Sequence, residues 1–269
     1  MSRLDWAAIV QHAAAIVRSY DTSVTLRQLF YRLVSDSTLP NTLSAYKTLS
    51  DRTTRAREAG TFPELLDRGR KIHRYQTFTG PGQARGWLAS IYRRDRTEGQ
   101  PHGVYLGVEK AGLVVQLEDW LGELGVPILA LGGYASHTFK DDVAADVYRV
   151  DRPAVLLYGG DHDPSGEDID RDFVDKTACW AKVVRVALTA EQVDAYRLPP
   201  MPGKETDARA ARFIARHGEL RQVELDALDP ADLRRLYQAA VDQFWDVSAF
   251  EAALDREAGD LEALGRWPA

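Results

Sequence analysis

The sequence predicts an α/β protein in which a helical N-terminal domain precedes a parallel β-sheet domain with a helical C-terminal extension. Three observations lead to this prediction. Apolar residues recur at helical spacing over roughly the first 58 residues. Four short apolar runs then alternate with helix-forming stretches between residues 104 and 188, which is typical of a parallel sheet covered on both faces. Helical spacing returns in the last part of the chain, in a stripe of Leu233, Leu236, Tyr237, Ala240 and Phe244.

Composition limits the kinds of protein that this chain can be. It has 269 residues, of which 45% are hydrophobic, enough to bury a core. Its one cysteine, Cys179, excludes a disulfide framework and a cysteine-rich zinc site and favours a cytoplasmic location. No apolar run approaches the roughly 20 residues of a membrane span, and the N-terminus lacks the pattern of a secretory signal. We therefore expect no membrane among the partners of this protein.

The charge is unevenly distributed along the chain. Residues 1–98 hold 16 Lys and Arg against 9 Asp and Glu, a net charge of +7, which leaves −13 for the remainder of a chain whose total is −6. A basic first third suggests a surface that holds a polyanion, and an acidic remainder suggests carboxylates gathered at a metal site. A chance skew in surface charge is the alternative.

Each N-terminal helix is predicted by its own apolar stripe. The first stripe runs from Trp6 to Val17, and a break at 21–23 separates it from a second helix that Thr25 caps. A third helix covers 42–58, and Gly60 ends it. Residues 61–63 then begin a short extended hairpin. The stripe of the second helix consists of Leu26, Leu29, Phe30, Leu33 and Val34.

Three short helices followed by an extended hairpin outline a winged-helix domain over residues 1–75. Such a domain places its third helix in the major groove of double-stranded DNA, with basic side chains on the flanking phosphates. A small helical bundle with solvated arginines is the alternative. Residues 76–103, rich in glycine and arginine, form the predicted junction to the second domain. The predicted DNA contacts are Lys47, Arg52, Arg55 and Arg57.

The second domain, predicted over residues 104–269, begins with alternating strands and helices. Its strands are so apolar that we expect both of their faces to be buried, as in a parallel sheet. The predicted strands are 104–108, 128–131, 154–158 and 183–188. The predicted helices between them are 113–124, 138–147 and 167–178.

Acidic residues follow two of these strands directly. Glu109 comes after the first strand, and Asp161 and Asp163 come after the third, behind two glycines. Ligands of an open parallel sheet bind outside the carboxyl ends of its strands, so these carboxylates converge on one crevice. They repel one another there unless a hard cation compensates them, and Mg²⁺ fits because it prefers carboxylate oxygens and clamps phosphates. A phosphatase nucleophile or a sugar-nucleotide metal site also uses Asp-X-Asp, but neither requires Glu109.

These motifs resemble a known family. Gly107-Val108-Glu109-Lys110, Gly132-Gly133 and the run LLYGGDHDPSGEDI at 156–169 are similar to those of a Toprim domain, a Rossmann-like fold with a parallel sheet. More narrowly, they resemble the topoisomerase VI A subunit and its meiotic double-strand-break relatives, and the likeness continues through 186–196 and 223–228. In that family a winged-helix domain precedes Toprim and carries a nucleophilic tyrosine within an Arg-X-X-aromatic-Tyr motif. Residues 27–31 match this motif.

Helix geometry places Tyr31 and Arg27 on the same face of the second predicted helix. Tyr31 lies about 130° from the centre of the apolar stripe, so we expect it to project away from the core, with Arg27 one turn earlier on the same face. A guanidinium beside a phenol favours the phenolate and can hold a phosphate. A surface tyrosine with an arginine neighbour is the alternative.

The resemblance implies a role for each residue of the site. Tyr31 is the implied nucleophile and Arg27 its phosphate-binding neighbour, while Glu109, Asp161 and Asp163 hold Mg²⁺, for which Mn²⁺ can substitute. Glu109 also takes part in general acid/base catalysis. The family builds one cleavage centre from the tyrosine and the metal site of opposite protomers, which implies a homodimer.

The chain departs from the family in one stretch and in its length, with fewer residues between the tyrosine and the first Toprim carboxylate. Residues 134–139 lack the Thr-Arg pair that the family usually has there, so a DNA contact is missing. Residues 203–206, Gly-Lys-Glu-Thr, lack the upstream glycine and the strand of a P-loop. If ATP drives the reaction, a separate ATPase subunit must bind it.

The predicted function is Mg²⁺-dependent cleavage of double-stranded DNA by tyrosine transesterification, in a cytoplasmic protein associated with the nucleoid. One alternative keeps the metal site but makes cleavage hydrolytic, as in Toprim nucleases of defence systems, with water in place of Tyr31. The other alternative is a winged-helix protein that binds DNA without cleaving it.

Overall fold

The computed structural model describes residues 4–66, 75–133, 135–201 and 209–265. The P-loop-like stretch 203–206, the last residues of the predicted winged-helix domain before 75, and position 134 of the departure from the family pattern lie outside these described residues. Within them the predicted α/β class is confirmed: a four-stranded, all-parallel sheet stands among eleven α-helices.

The three N-terminal helices form as predicted. They are α1 (Trp6–Ser19), α2 (Leu26–Ser35) and α3 (Leu43–Glu58). Thr25 caps α2 in a reciprocal capping box with Gln28, which fixes where the helix begins. Gly60 has a φ of +68°, a conformation that favours glycine, and it follows the end of α3 directly.

The predicted hairpin after α3 is not formed within residues 61–66. This segment contains no strand, and Leu66 joins it to the preceding helices through a backbone hydrogen bond to the Val24 oxygen at 2.9 Å. Proline at position 63 removes one backbone donor from the segment, which disfavours strand pairing. The winged-helix assignment therefore stays a prediction.

The four predicted strands are confirmed, each to within two residues at either end. They are β1 (Gly103–Val108), β2 (Ile128–Ala130), β3 (Ala154–Gly159) and β4 (Lys182–Ala187), in the order β2-β1-β3-β4. Every residue of the two central strands, β1 and β3, is buried, because helices cover both faces of the sheet.

Helices precede, connect and follow the strands. The junction contains α4 (Pro81–Ile91), and the sheet region contains α5 (Val114–Leu121), α6 (His137–Val150) and α7 (Pro164–Thr177). The C-terminal part contains α8 (Ala190–Ala195), α9 (Ala210–His217), α10 (Pro230–Asp242) and α11 (Val247–Gly265). No described helix is both long and apolar enough to cross a membrane.

One hydrophobic core joins the N-terminal helices to the sheet. Leu29 of α2, Leu106 of β1 and Tyr237 of α10 belong to the same buried cluster. Tyr237 is fully buried and donates a hydrogen bond to the Gly107 oxygen at 2.7 Å, which ties α10 to β1. A short 3-10 turn, Leu225–Ala227, packs against α2. The 3-10 turn is thus held between α2 and Asp161, whose Oδ1 accepts a hydrogen bond from the Leu225 nitrogen at 2.8 Å.

Candidate functional site

The structure brings Glu109, Asp161 and Asp163 to the same edge of the sheet, as the sequence predicts. Glu109 follows β1 and Asp161 follows β3, and the two strands are parallel neighbours. The Glu109 Oε2 atom accepts a hydrogen bond from the Asp161 backbone nitrogen at 2.7 Å. Asp163 caps α7, and its Oδ1 accepts from the Gly166 nitrogen at 2.6 Å. Both loops therefore hold their carboxylates by backbone contacts.

Crowding of acidic groups changes the protonation of Glu109. Burial raises the pKa of its carboxyl to about 7, and the negative charges of Asp161 and Asp163 add to the rise, although the hydrogen bond from the Asp161 backbone acts in the opposite direction. Burial also raises the pKa of Asp163 above its ordinary value. Without a bound metal ion, Glu109 and Asp163 are therefore harder to ionise than ordinary carboxyl groups.

Gly166 permits the close approach of the two loops. A Cβ at this position would collide with the Asp161 carbonyl oxygen and lie 3.2 Å from Glu109 Oε2. We expect Gly166→Ala to lower the free energy of unfolding by about 1–3 kcal/mol, the usual cost of overpacking. Urea denaturation measures the change, and Gly259→Ala is the control. A Cβ at position 259 meets nothing within 4 Å, and alanine stabilises the interior of α11 relative to glycine by about 0.5–1 kcal/mol. Equal midpoints for the two variants would contradict this prediction.

A partly buried lysine lies beside these carboxylates. The Lys110 Nζ atom is 2.9 Å from Asp161 Oδ1 and 3.1 Å from both Glu224 Oε2 and Asp226 Oδ2. Burial alone lowers the pKa of Lys110, but Asp226, Asp161 and Glu224 raise it above the ordinary lysine value. Lys110 is therefore an ion-pair partner of the site.

Glu224 links this cluster to the second helix. Its Oε1 atom accepts from the Arg27 guanidinium, while its Oε2 faces Lys110. The Arg27 Nε atom is also 3.9 Å from Asp226 Oδ2. One continuous chain of ion pairs thus runs from Arg27 on α2 through Glu224 and Lys110 to Asp161, within a single chain.

The structure corrects one prediction about Tyr31. Its side chain does not project into solvent: the residue is only 4% exposed and belongs to the hydrophobic core. Its hydroxyl donates to the Met201 sulphur at 2.9 Å, so a segment far along the chain covers this face of α2. Burial raises the pKa of the Tyr31 phenol to about 12, and Glu224 adds to the rise, whereas Arg27 and Lys110 act to lower it.

Tyr31 and Arg27 nevertheless line one cavity, as the common face predicts. The cavity has a volume of about 540 Å³, within the range of small-molecule sites, and lies between α2, the start of α3 and the segment that contains Met201. Tyr46 and Asn41 also line it. Among the residues that the structure describes, Arg27 is the charged side chain that lines this cavity, and it is 42% exposed.

The basic residues of α3 differ in their surroundings. Lys47, Arg52 and Arg55 are exposed, as a DNA-contacting face requires, although Arg55 also pairs with Asp51 at 3.1 Å. Arg57 is less exposed, at 28% of its side chain, and its Nη1 atom is 3.9 Å from Glu64 Oε2. Half-burial leaves Arg57 less able to reach a phosphate than the other three.

Sequence reasoning missed a group of three ligand-type side chains. His162, Glu167 and His217 each offer one ligand atom, and these atoms lie within 4.8 Å of one another, so the group could hold a metal ion. His162 is buried, with only 3% of its surface exposed. Burial lowers its pKa to about 4, and His217 adds to the effect. His217 is 55 residues away from His162, a separation at which no short spacing motif signals a shared site.

The donor set at the sheet edge fits Mg²⁺. Five carboxylates, of Glu109, Asp161, Asp163, Glu224 and Asp226, face the cations of Lys110 and Arg27, so negative charge is in excess. Among the described residues, Glu109, Asp161 and Asp163 do not form a group whose ligand atoms all lie within 4.8 Å of one another, as those of His162, Glu167 and His217 do. Mg²⁺ binds one or two carboxylates directly and keeps several waters, so it does not require three closely grouped side chains.

Comparison with other proteins adds no family assignment. The sequence matches no model of a known protein family, and a search among curated proteins finds no match.

Proposed function

We propose that this protein is a metal-dependent DNA-cleaving enzyme in which Tyr31 attacks the phosphodiester. The proposal rests on one observation above all: the ion-pair chain from Arg27 through Glu224 and Lys110 connects the tyrosine cavity to the carboxylates at the sheet edge. A phosphate held between Arg27 and those carboxylates would contact both halves of a cleavage site. The resemblance of residues 107–110, 156–169 and 27–31 to the topoisomerase VI A family supports the same reaction.

In this mechanism Arg27 binds a phosphate oxygen and lowers the pKa of the Tyr31 phenol. The Tyr31 oxygen gives its proton to water and forms a bond to phosphorus, while the bond from phosphorus to one sugar oxygen breaks. That oxygen takes up a proton, which Glu109 would supply, and leaves as a hydroxyl. Glu109, Asp161 and Asp163 would hold Mg²⁺, which would stabilise the negative charge that develops on the phosphate. Reversal of the same step reseals the strand.

Hydrolytic cleavage is the second candidate, and the burial of Tyr31 favours it. A phenol that is 4% exposed and hydrogen-bonded to Met201 must be uncovered before it can attack DNA. Water needs no such rearrangement. In that reaction the carboxylates keep their role and Tyr31 is a core residue.

Tyr31→Phe separates the two reactions. The purified protein is incubated with supercoiled plasmid in Mg²⁺ or Mn²⁺, and the products are separated before and after protease digestion. We expect wild-type protein to yield DNA that stays bound to protein until digestion, and Tyr31→Phe to lose both the adduct and at least about 99% of cleavage. Tyr46→Phe is the matched control, since its ring lines the same cavity, and it should retain activity. Protein-free ends from an active Tyr31→Phe would instead establish hydrolysis.

The partners follow from the same proposal. Double-stranded DNA would contact Lys47, Arg52 and Arg55 on α3. A homodimer would bring two cleavage centres to the two strands, and a separate ATPase subunit would supply any ATP-driven step. If the protein binds DNA but does not cleave it with any divalent metal, only the DNA-binding part of the proposal stands.

A further inference from the structure

The His162, Glu167 and His217 group lies apart from the carboxylates of the proposed function. Residues 161–163 are extended, and His162 pairs with Val223 through two backbone hydrogen bonds of 2.8 and 2.9 Å. Successive side chains of an extended segment point to opposite sides. His162 therefore faces away from Asp161 and Asp163, toward α7 and α9.

Three separate segments supply the side chains of this group. His162 comes from the loop after β3, Glu167 from the first turn of α7, and His217 is the last residue of α9. The His217 Nε2 atom is 2.6 Å from Glu167 Oε1, and the two imidazole rings lie 4.9 Å apart between centroids. Among the residues that the structure describes, the His162 ring has aromatic contacts with Phe213 and His217 but no hydrogen-bond partner.

We propose that His162, Glu167 and His217 bind a first-row transition-metal ion, for which Zn²⁺ is the natural probe. Two imidazoles and one carboxylate are a known donor set for Zn²⁺, with water as the fourth ligand. Zn²⁺ lies about 2.0–2.2 Å from such donor atoms, so the ligand atoms of a tetrahedral site are about 3.4 Å apart. The present group, within 4.8 Å, reaches that spacing by small side-chain movements.

Solvent can reach the group from a cavity whose lining includes Glu167 together with four arginines. His217 and Glu167 are 15% and 20% exposed, and both belong to elements that border this cavity of about 350 Å³ between α7 and α9. The second oxygen of Glu167 is 3.4 Å from Arg216 Nη1, which would orient the carboxylate. The metal would attach α9 to the loop that carries Asp161 and Asp163.

Zinc retention by the full chain tests this proposal. Protein stripped with EDTA is dialysed against micromolar Zn²⁺, and retained metal is measured by mass spectrometry. We expect one Zn²⁺ per wild-type chain, a rise of a few degrees in Tm, and an affinity at least about tenfold lower in both His217→Gln and Glu167→Gln. Two variants are used so that failure of one to fold leaves the other as a test. His137→Gln, which removes an exposed histidine paired with Asp141, should retain zinc like the wild type.

A further variant separates this site from the sheet-edge carboxylates. Asp163→Asn should lose Mg²⁺-dependent cleavage but keep its zinc, so failure of the proposed function leaves this inference intact. Loss of zinc from Asp163→Asn with retention in His217→Gln would overturn the proposal, because it would place the ion at the carboxylates. Absence of zinc from the wild type, or equal retention in all variants, would reduce the group to a hydrogen-bonded aromatic cluster.

Discussion

Replacement of Lys110 with methionine is expected to lower the free energy of unfolding by about 3–5 kcal/mol, the usual cost of removing one partner from a buried ion pair. The Lys110 ammonium is the common partner of Asp161, Glu224 and Asp226, whose side chains are at most 10% exposed. Methionine fills much of the same volume but removes the ammonium that all three carboxylates share, although Glu224 still pairs with Arg27. Urea denaturation at neutral pH measures the effect.

The pH dependence of this loss follows from the direction of the Lys110 shift. Its pKa in the folded protein is raised above the ordinary value of 10.5, so the stabilisation is fully present below pH 10.5 and is lost only at higher pH. The loss in Lys110→Met should also shrink at acidic pH, where the carboxylates become protonated. Lys176→Met, which removes a lysine that is 61% exposed and paired with Asp172, should cost at most about 1 kcal/mol. A similarly small loss in Lys110→Met would show that the cluster does not depend on its cation.

Glu109→Gln is expected to reduce metal-dependent cleavage at least about 100-fold while stabilising the metal-free fold. Both effects follow from the position of the Glu109 carboxylate, which is buried beside Asp161 and Asp163 at the proposed metal site. The pKa of Glu109 in the folded protein, about 7, exceeds its ordinary value of 4.5, so the folded state binds the proton more tightly. Wild-type stability in EDTA should therefore fall as pH rises from about 4.5 to 7.

Glutamine has no proton to lose, so the variant should lack this fall. At pH 8 in EDTA we expect Glu109→Gln to be more stable than the wild type by at most about 3 kcal/mol, with little difference near pH 4.5. Chemical denaturation across this pH range is the measurement, and Glu118→Gln, on the exposed face of α5, is the control. Parallel pH curves for wild type and Glu109→Gln would mean that Glu109 ionises as an ordinary surface carboxylate.

Local patterns predicted the sheet and the N-terminal helices well. The runs at 104–108 and 154–158 are apolar because both faces of β1 and β3 are buried, and this signal needs no information about distant residues. The capping box at Thr25 is equally local. Since Glu109 and Asp161 directly follow these strands, their convergence could be predicted from the parallel arrangement alone.

The environment of Tyr31 could not be predicted in this way. The apolar stripe of α2 defines one buried face, but Met201 and the 3-10 turn Leu225–Ala227 bury a second face from more than 160 residues away. Gln28, also on α2, is buried against Gln116 by the same kind of long-range contact. The periodicity of a single helix does not show which of its faces distant segments bury.

Partners of the site that lie far along the chain were missed for a similar reason. In the sequence Glu224 and Asp226 alternate with the apolar residues Val223 and Leu225, a pattern that would place the two acidic groups on one side of an extended segment. In the structure all four residues are buried, and Asp226 lies in the 3-10 turn. This alternation was the available signal. It does not show, however, that Lys110 is the residue that they face.

Cleavage of supercoiled plasmid by Asp163→Asn tests the central claim most directly. Asparagine keeps the cap of α7 and changes only the charge of the side chain, so the fold should be preserved. The matched control is Asp175→Asn, on the exposed face of the same helix, where the aspartate pairs with Arg171. We predict that wild type and Asp175→Asn cleave in Mg²⁺ and not in EDTA, while Asp163→Asn is at least about 100-fold less active. Equal activity of the two variants, or cleavage that persists in EDTA, would contradict the account.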